Sequence, residues 1–188
     1  VVLATQGKLD EAIDAFKNAL LINPNDADAY NNIGNVLKDQ GKLQDAIGAF
    51  KNAILINPDD SHAYNNIGKV LVDQGKFQEA VDQFKNAILT NQDYAEAYNN
   101  KGIALRYQSK FQESINAFKK ALLLKPQYAE AYNNLGNVLN DQGKLDKAIN
   151  AFKKAILLKP DYSEAYGNMG VVIKNQGKLD YAIDTFKK

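Results

Sequence analysis

Apolar residues recur along this chain at helical spacing, interrupted every sixteen to eighteen residues or so by polar, turn-forming clusters. Tyr30, Ile33, Gly34 and Leu37 fall at i, i+3, i+4 and i+7, a single stripe along one helix. "DQGK" at 39–42 then breaks the pattern with a glycine suited to a left-handed cap. Leu43, Ala46, Ile47, Phe50, Ala53 and Ile54 resume the three-to-four spacing and predict a second helix. "NPDD" at 57–60 ends it, because Pro58 disfavours helical geometry at the residue before it. The small residues Gly34 and Ala46 let the two helices approach closely, with Phe50 filling the space beside them.

The same sentence is then rewritten. Tyr30, Tyr64, Tyr98, Tyr132 and Tyr166 lie 34 residues apart, as do Gly34, Gly68, Gly102, Gly136 and Gly170. Phe16, Phe50, Phe84, Phe118, Phe152 and Phe186 keep the same period. A fixed period of this size marks one supersecondary unit stacked many times. Full copies run over 27–60, 61–94, 95–128 and 129–162, with partial copies at 1–26 and 163–188, so that 1–188 reads as a single array. Periodicity alone gives an all-α, two-helix solenoid.

At Tyr30, Ile33-Gly34, Leu37, Gly41, Ala46, Phe50, Ala53 and Pro58 the chain resembles the tetratricopeptide repeat (TPR) family. The resemblance covers essentially the whole chain. It implies a right-handed superhelix of antiparallel helix pairs whose first helices line a concave groove, and a protein-binding scaffold as the function.

One feature runs against local propensity. The phrase AYNNIGN (29–35) returns as AYNNIGK, AYNNKGI, AYNNLGN and AYGNMGV, although asparagine is a mediocre helix former. On a helical wheel Asn32 falls nearly opposite the apolar stripe, aligned with Asp28, Asn35 and Asp39. By the family's geometry that line faces the groove. Asn32, Asn66, Asn100, Asn134 and Asn168 then form a ladder whose amides match the backbone of an extended peptide, similar to the asparagine ladder of O-GlcNAc transferases. Asn35, Lys69, Arg106 and Asn137 complete the candidate groove residues. Alanine at Asn66, Asn100 and Asn134 is expected to leave the fold intact or slightly more stable. Asn31, Asn65, Asn99 and Asn133 fall on a flank, where they either border the groove or bridge adjacent repeats.

The carboxylate clamp of the family is not met, because its cationic positions hold Asn31, Glu96 and Asn100, leaving a terminal carboxylate without its ion partners. Repeat 95–128 departs most from the pattern: Lys101 precedes the core glycine, Ser109 replaces the turn glycine, Ser114 replaces the close-packing alanine, and "LTNQDY" lacks proline. These changes read as drift rather than as a specificity seat built with Lys69, Arg106 and Tyr107. His62 is the only histidine, and reads as a surface residue. The lysines after each second-helix phenylalanine read as a solvated face.

Composition removes whole classes. Lys+Arg 23 against Asp+Glu 22 offers no bulk charge for nucleic acid or an acidic membrane. With no cysteine there are no disulfides or thiolate metal sites, and the compartment stays open, with cytoplasm the default expectation. The opening "VVLATQGKLD" shows no signal peptide, and no apolar run reaches the roughly 20 residues that span a bilayer. No phosphate loop, nucleophile elbow or His-Glu metal motif is present, so neither catalysis nor a cofactor is expected. The expected activity is binding of a protein or peptide in the groove. The alternatives are a substrate-selecting segment of a larger enzyme such as a glycosyltransferase, or a scaffold that associates with itself. End-to-end stacking through Val1, Val2, Leu3, Ile173, Ile183 and Phe186 would serve the last of these.

Overall fold

The computed structural model describes residues 8–178, and all secondary structure among them is helical. The elements are α1 (Leu9–Ile22), α2 (Ala27–Asp39), α3 (Leu43–Ile56), α4 (Ser61–Asp73), α5 (Phe77–Thr90), α6 (Ala95–Tyr107), α7 (Phe111–Leu124), α8 (Ala129–Asp141), α9 (Leu145–Leu158) and α10 (Ser163–Asn175). They fall into two compact units, 1–92 and 93–188. The division lies in "NQDY", the connection without proline. Each of α2, α4, α6 and α8 packs most extensively against the helix that follows it.

What holds each pair together is a glycine facing a phenylalanine. Phe50, Phe84, Phe118 and Phe152 are fully buried. A Cβ placed on Gly34, Gly68, Gly102 or Gly136 would lie 2.5–2.7 Å from the nearest carbon of the phenylalanine ring in the same repeat. Carbons Cδ1, Cε1 and Cζ of the ring therefore lie against bare helix backbone, and the partner helix comes in to a distance no side chain would permit. In the later unit this packing merges into one core with Ile115, Val138, Leu139, Ile149, Met169, Val172 and Ile173. Ile173, expected from sequence to offer a surface for end-to-end stacking, is fully buried there. Val1, Val2, Leu3, Ile183 and Phe186 lie outside the described residues.

The turns follow from backbone geometry. After α2, Gly41 takes φ 75° and Lys42 N–H donates to Leu37 C=O at 2.9 Å, a cap that satisfies orphan carbonyls with a left-handed residue. Gly75, Gly143 and Gly177 do the same at φ 71–78°. In repeat 95–128 the position is Ser109, which keeps the turn and takes φ 58°. A side chain in that region costs about 1–2 kcal/mol, against the smaller entropic cost of glycine. Ser109→Gly is therefore expected to stabilise the protein by roughly 0.5–1 kcal/mol, read as a higher urea midpoint with an unchanged slope. No change would mean that the strain is relieved locally.

The second departure in that repeat carries no penalty. Ser114 is fully buried, and its Oγ donates to Gly102 C=O at 2.7 Å. A hydroxyl that replaces a buried alanine is thus satisfied by the backbone of the helix it packs against.

Candidate functional site

The repeated asparagines sit on the first helix of each repeat, and the two members of each pair have different jobs. The first is buried: Asn65, Asn99 and Asn133 are 1%, 4% and 0% exposed. The second is half-buried at Asn32, Asn66, Asn100, Asn134 and Asn168. Members of both sets reach into neighbouring repeats, among them Asn31, Asn133, Asn134 and Asn168.

In the earlier unit Asn31 Nδ2 donates to Asp60 Oδ2 at 2.6 Å. Asp60, itself buried, also caps α4 by accepting from Ala63 N–H at 2.9 Å. A single carboxylate thereby satisfies an orphan amide of its own helix and ties that helix to α2, the first helix of the repeat before. In the later unit the cap residue is tyrosine, and the tie moves two residues on. Asn133 Nδ2 donates to Glu164 Oε1 at 2.9 Å. Bonds also run the other way: Asn134 Nδ2 donates to Asn99 Oδ1 at 3.1 Å and Asn168 Nδ2 to Asn133 Oδ1 at 3.0 Å. The first asparagine of one repeat is thus held by the second asparagine of the next.

This arrangement resolves the flank residues in favour of bridging, as seen at Asn31 and Asn133. It also revises the stability expected of alanine at the ladder positions. Asn134→Ala removes a bond worth about 0.5–1.5 kcal/mol net and strips Asn99 Oδ1 of a donor, which outweighs the roughly 0.7 kcal/mol that alanine gains in helix propensity at most.

The remaining candidates divide by surroundings. Asn35 is exposed, while Lys69 and Asn137 are half-buried. Arg106 is committed to a neighbour: its Nε and Nη2 donate to the two carboxylate oxygens of Asp141 at 2.5 and 3.2 Å. Such a bidentate pair fixes the guanidinium across two repeats and neutralises it. Tyr107 is 59% exposed.

In the later unit burial first, and then the acids at the starts of the first helices, act on two tyrosines. Burial, with Glu96 and Glu130 adding to it, pushes the Tyr128 phenol up to about 12. Tyr162 is raised for the same reason, by burial first and then by Glu164 and Glu130, while its bond to Asn133 pulls the other way. Both phenols stay neutral at physiological pH, and their shifts report carboxylates close beside the asparagines. Among the described residues no group of three or more His, Cys, Asp or Glu could hold a metal ion, and no helix is long and apolar enough to cross a membrane.

Sequence reasoning did not find Asp60 or Glu164 as partners of the asparagines. The signal was present as an acid 29 or 31 residues downstream of an asparagine, but the offset differs from the period and changes between units.

Comparison with known proteins agrees with this architecture. A family model described as TPR repeat matches residues 2–41, 68–106 and 102–143, and one described as tetratricopeptide repeat matches 27–60 and 129–162. No curated protein matches the chain. Among solved structures, MamA is 32% identical, with a TM-score of 0.72 over 82% of this chain and 91% of that one. YrrB, described as a TPR protein with an unusual peptide-binding site, is 24% identical, with a TM-score of 0.70 over 92% of this chain and 89% of its own. The pilF protein of Pseudomonas aeruginosa is 17% identical, with a TM-score of 0.84 over 97% of this chain and 83% of its own. With glycine–phenylalanine helix pairs, a 34-residue period and family models matching more than half of its length, the chain belongs to the tetratricopeptide repeat family.

Proposed function

We propose that this scaffold binds an extended polypeptide through Asn32, Asn66, Asn100, Asn134 and Asn168, whose amides address the backbone of the partner. The observation that carries the proposal is the anchoring of Asn134 and Asn168 to the preceding repeat. An asparagine amide offers two N–H donors and an acceptor oxygen, and the anchoring bond engages one N–H. The side chain is thereby held in one orientation before any partner arrives, which reduces the entropy lost on binding. Asn35, Lys69 and Asn137 lie on the same faces of their helices and add contacts to partner side chains. Arg106, paired with Asp141, acts as a brace between repeats and contributes shape rather than free charge. Glu96, Glu130 and Glu164 favour a partner that carries lysine or arginine in the part bound by residues 93–178.

The test uses a peptide selected from a random library against the wild-type chain. Asn66→Ala/Asn100→Ala/Asn134→Ala is expected to bind it at least about tenfold more weakly, since each lost hydrogen bond is worth roughly 0.5–1.5 kcal/mol. The loss is expected to be similar for selected peptides of different sequence, because the contacts go to backbone. Circular dichroism and urea unfolding establish that the variant is folded. A folded triple variant with wild-type affinity would overturn the proposal.

A further inference from the structure

The second helices carry a feature that the asparagine face does not use. Leu21, Leu55, Leu89, Leu123 and Leu157 stand one to a repeat near the ends of α1, α3, α5, α7 and α9, and they are 72–81% exposed. The earlier unit surrounds its leucines with neutral or balanced residues. Asn18, Asn52 and Asn86 flank them on one side and Asn23, Asn57 and Asn91 on the other. Lys17 and Lys85 lie 3.9 and 2.9 Å from Asp14 and Asp82, and Lys51 adds a single cation before Leu55.

In the later unit those same register positions become Lys120, Lys154, Lys125 and Lys159, joining Lys119 and Lys153. Neither 114–127 nor 148–160 contains an acidic residue. Four of the ammonium groups lie over tyrosine rings: Lys120 at 6.0 Å from Tyr98, Lys125 at 4.6 Å from Tyr128, Lys154 at 5.4 Å from Tyr132 and Lys159 at 5.0 Å from Tyr162. This aromatic attraction holds flexible cations in place. Beside them open two clefts in equivalent positions. One of about 250 Å³ is lined by Tyr132, Leu135, Leu139, Ala151 and Lys154. The other, of about 290 Å³, is lined by Tyr98, Lys101, Leu105, Glu113, Ala117 and Lys120, so that two lysines stand beside one carboxylate. Leu157 and Leu123 follow Lys154 and Lys120 by three residues, on the same helix face.

We propose that this face of α7 and α9 is a second docking surface, and that its occupant is an acidic amphipathic segment of a partner protein. The argument is charge complementarity joined to shape. The lysines call for carboxylates, the exposed leucines for apolar area, and the clefts accept an apolar side chain. A bilayer would meet the cations equally well but cannot fill a cleft, and only Leu123, Leu157 and the 38%-exposed Leu158 stand out on these helices as exposed large apolar side chains. Each unit carries exposed leucines of its own. The basic surround is confined to the later one, and so is the proposed site.

The probe is a fluorescein-labelled peptide of roughly five helical turns, with glutamate on one face and leucine on the other. Wild-type protein is expected to bind it in an anisotropy titration. Leu123→Ser/Leu157→Ser is expected to weaken binding by about tenfold or more. Lys120→Asn/Lys154→Asn, which installs the residues found at 52 and 86, is expected to weaken it and to flatten its salt dependence. Leu55→Ser is expected to leave affinity unchanged. All these substitutions are at exposed positions, and their folding is checked by urea unfolding. The proposal is overturned if wild type ignores the peptide, if either double variant binds as wild type does, or if Leu55→Ser weakens binding as much as the later pair. Co-sedimentation with phosphatidylserine vesicles in place of peptide binding would likewise overturn it, in favour of a lipid surface.

Discussion

Phe152→Ala is expected to lower the stability of the unit formed by residues 93–188 by about 3–5 kcal/mol. The ring is fully buried, and it rests on Gly136 while packing with Val138, Ile149 and Met169 in one core. Its removal costs the transfer free energy of the ring and leaves a cavity that two helices cannot close without giving up their other contacts. Urea unfolding followed by circular dichroism measures the loss, and because repeats couple mainly to their neighbours, the transition is also expected to broaden. A loss under about 1 kcal/mol would show that the helix pair can collapse onto the space, which the rigid spacing of α8 and α9 argues against.

Gly68→Ala is expected to destabilise by about 1–3 kcal/mol, although alanine is about 1 kcal/mol better than glycine inside a helix. The new methyl would lie 2.5–2.8 Å from three carbons of the Phe84 ring. That ring is itself fully buried and has no room to turn away. The sterics predict strong coupling. In a Phe84→Leu background the methyl meets a smaller side chain, and the cost of Gly68→Ala is expected to shrink or change sign. A double-mutant cycle by urea unfolding reads this directly, and additive costs would show that the glycine serves the backbone alone.

This pair explains why so much of the fold was legible in the sequence. A glycine and a phenylalanine sixteen residues apart specify a contact between two consecutive helices, and their joint recurrence repeats that specification without reference to anything distant. Turn glycines were legible for a similar reason, since a left-handed residue closes each first helix. Ser109 was visible as a departure, but its retention of the turn at φ 58° was not, because sequence does not say whether a strained residue yields or holds. The asparagines show where single-helix reasoning stops. A helical wheel places Asn134 relative to its own core, whereas its bond goes to Asn99 on another helix. Arg106 read as a groove residue, and its pairing with Asp141, 35 residues on, was not visible in the spacing of one helix. The leucines of the second helices passed unnoticed for the opposite reason. Apolar residues near the end of an apolar helix look like core, and only their 72–81% exposure sets them apart.

The asparagine bonds also bear on how such a chain can grow. Asn31 finds its acceptor 29 residues ahead, and Asn133 finds its own 31 residues ahead. Inserting one whole period leaves such a donor facing an acceptor in the next copy, provided that unlike repeats are not joined between the two acceptor positions. Unequal crossing-over therefore lengthens the protein without a repair step. What the bonds do constrain is later divergence. When aspartate at position 60 has its register counterpart at 162 as tyrosine, the acid reappears two places on at Glu164, so the donor is inherited unchanged while its acceptor is free to migrate by half a turn.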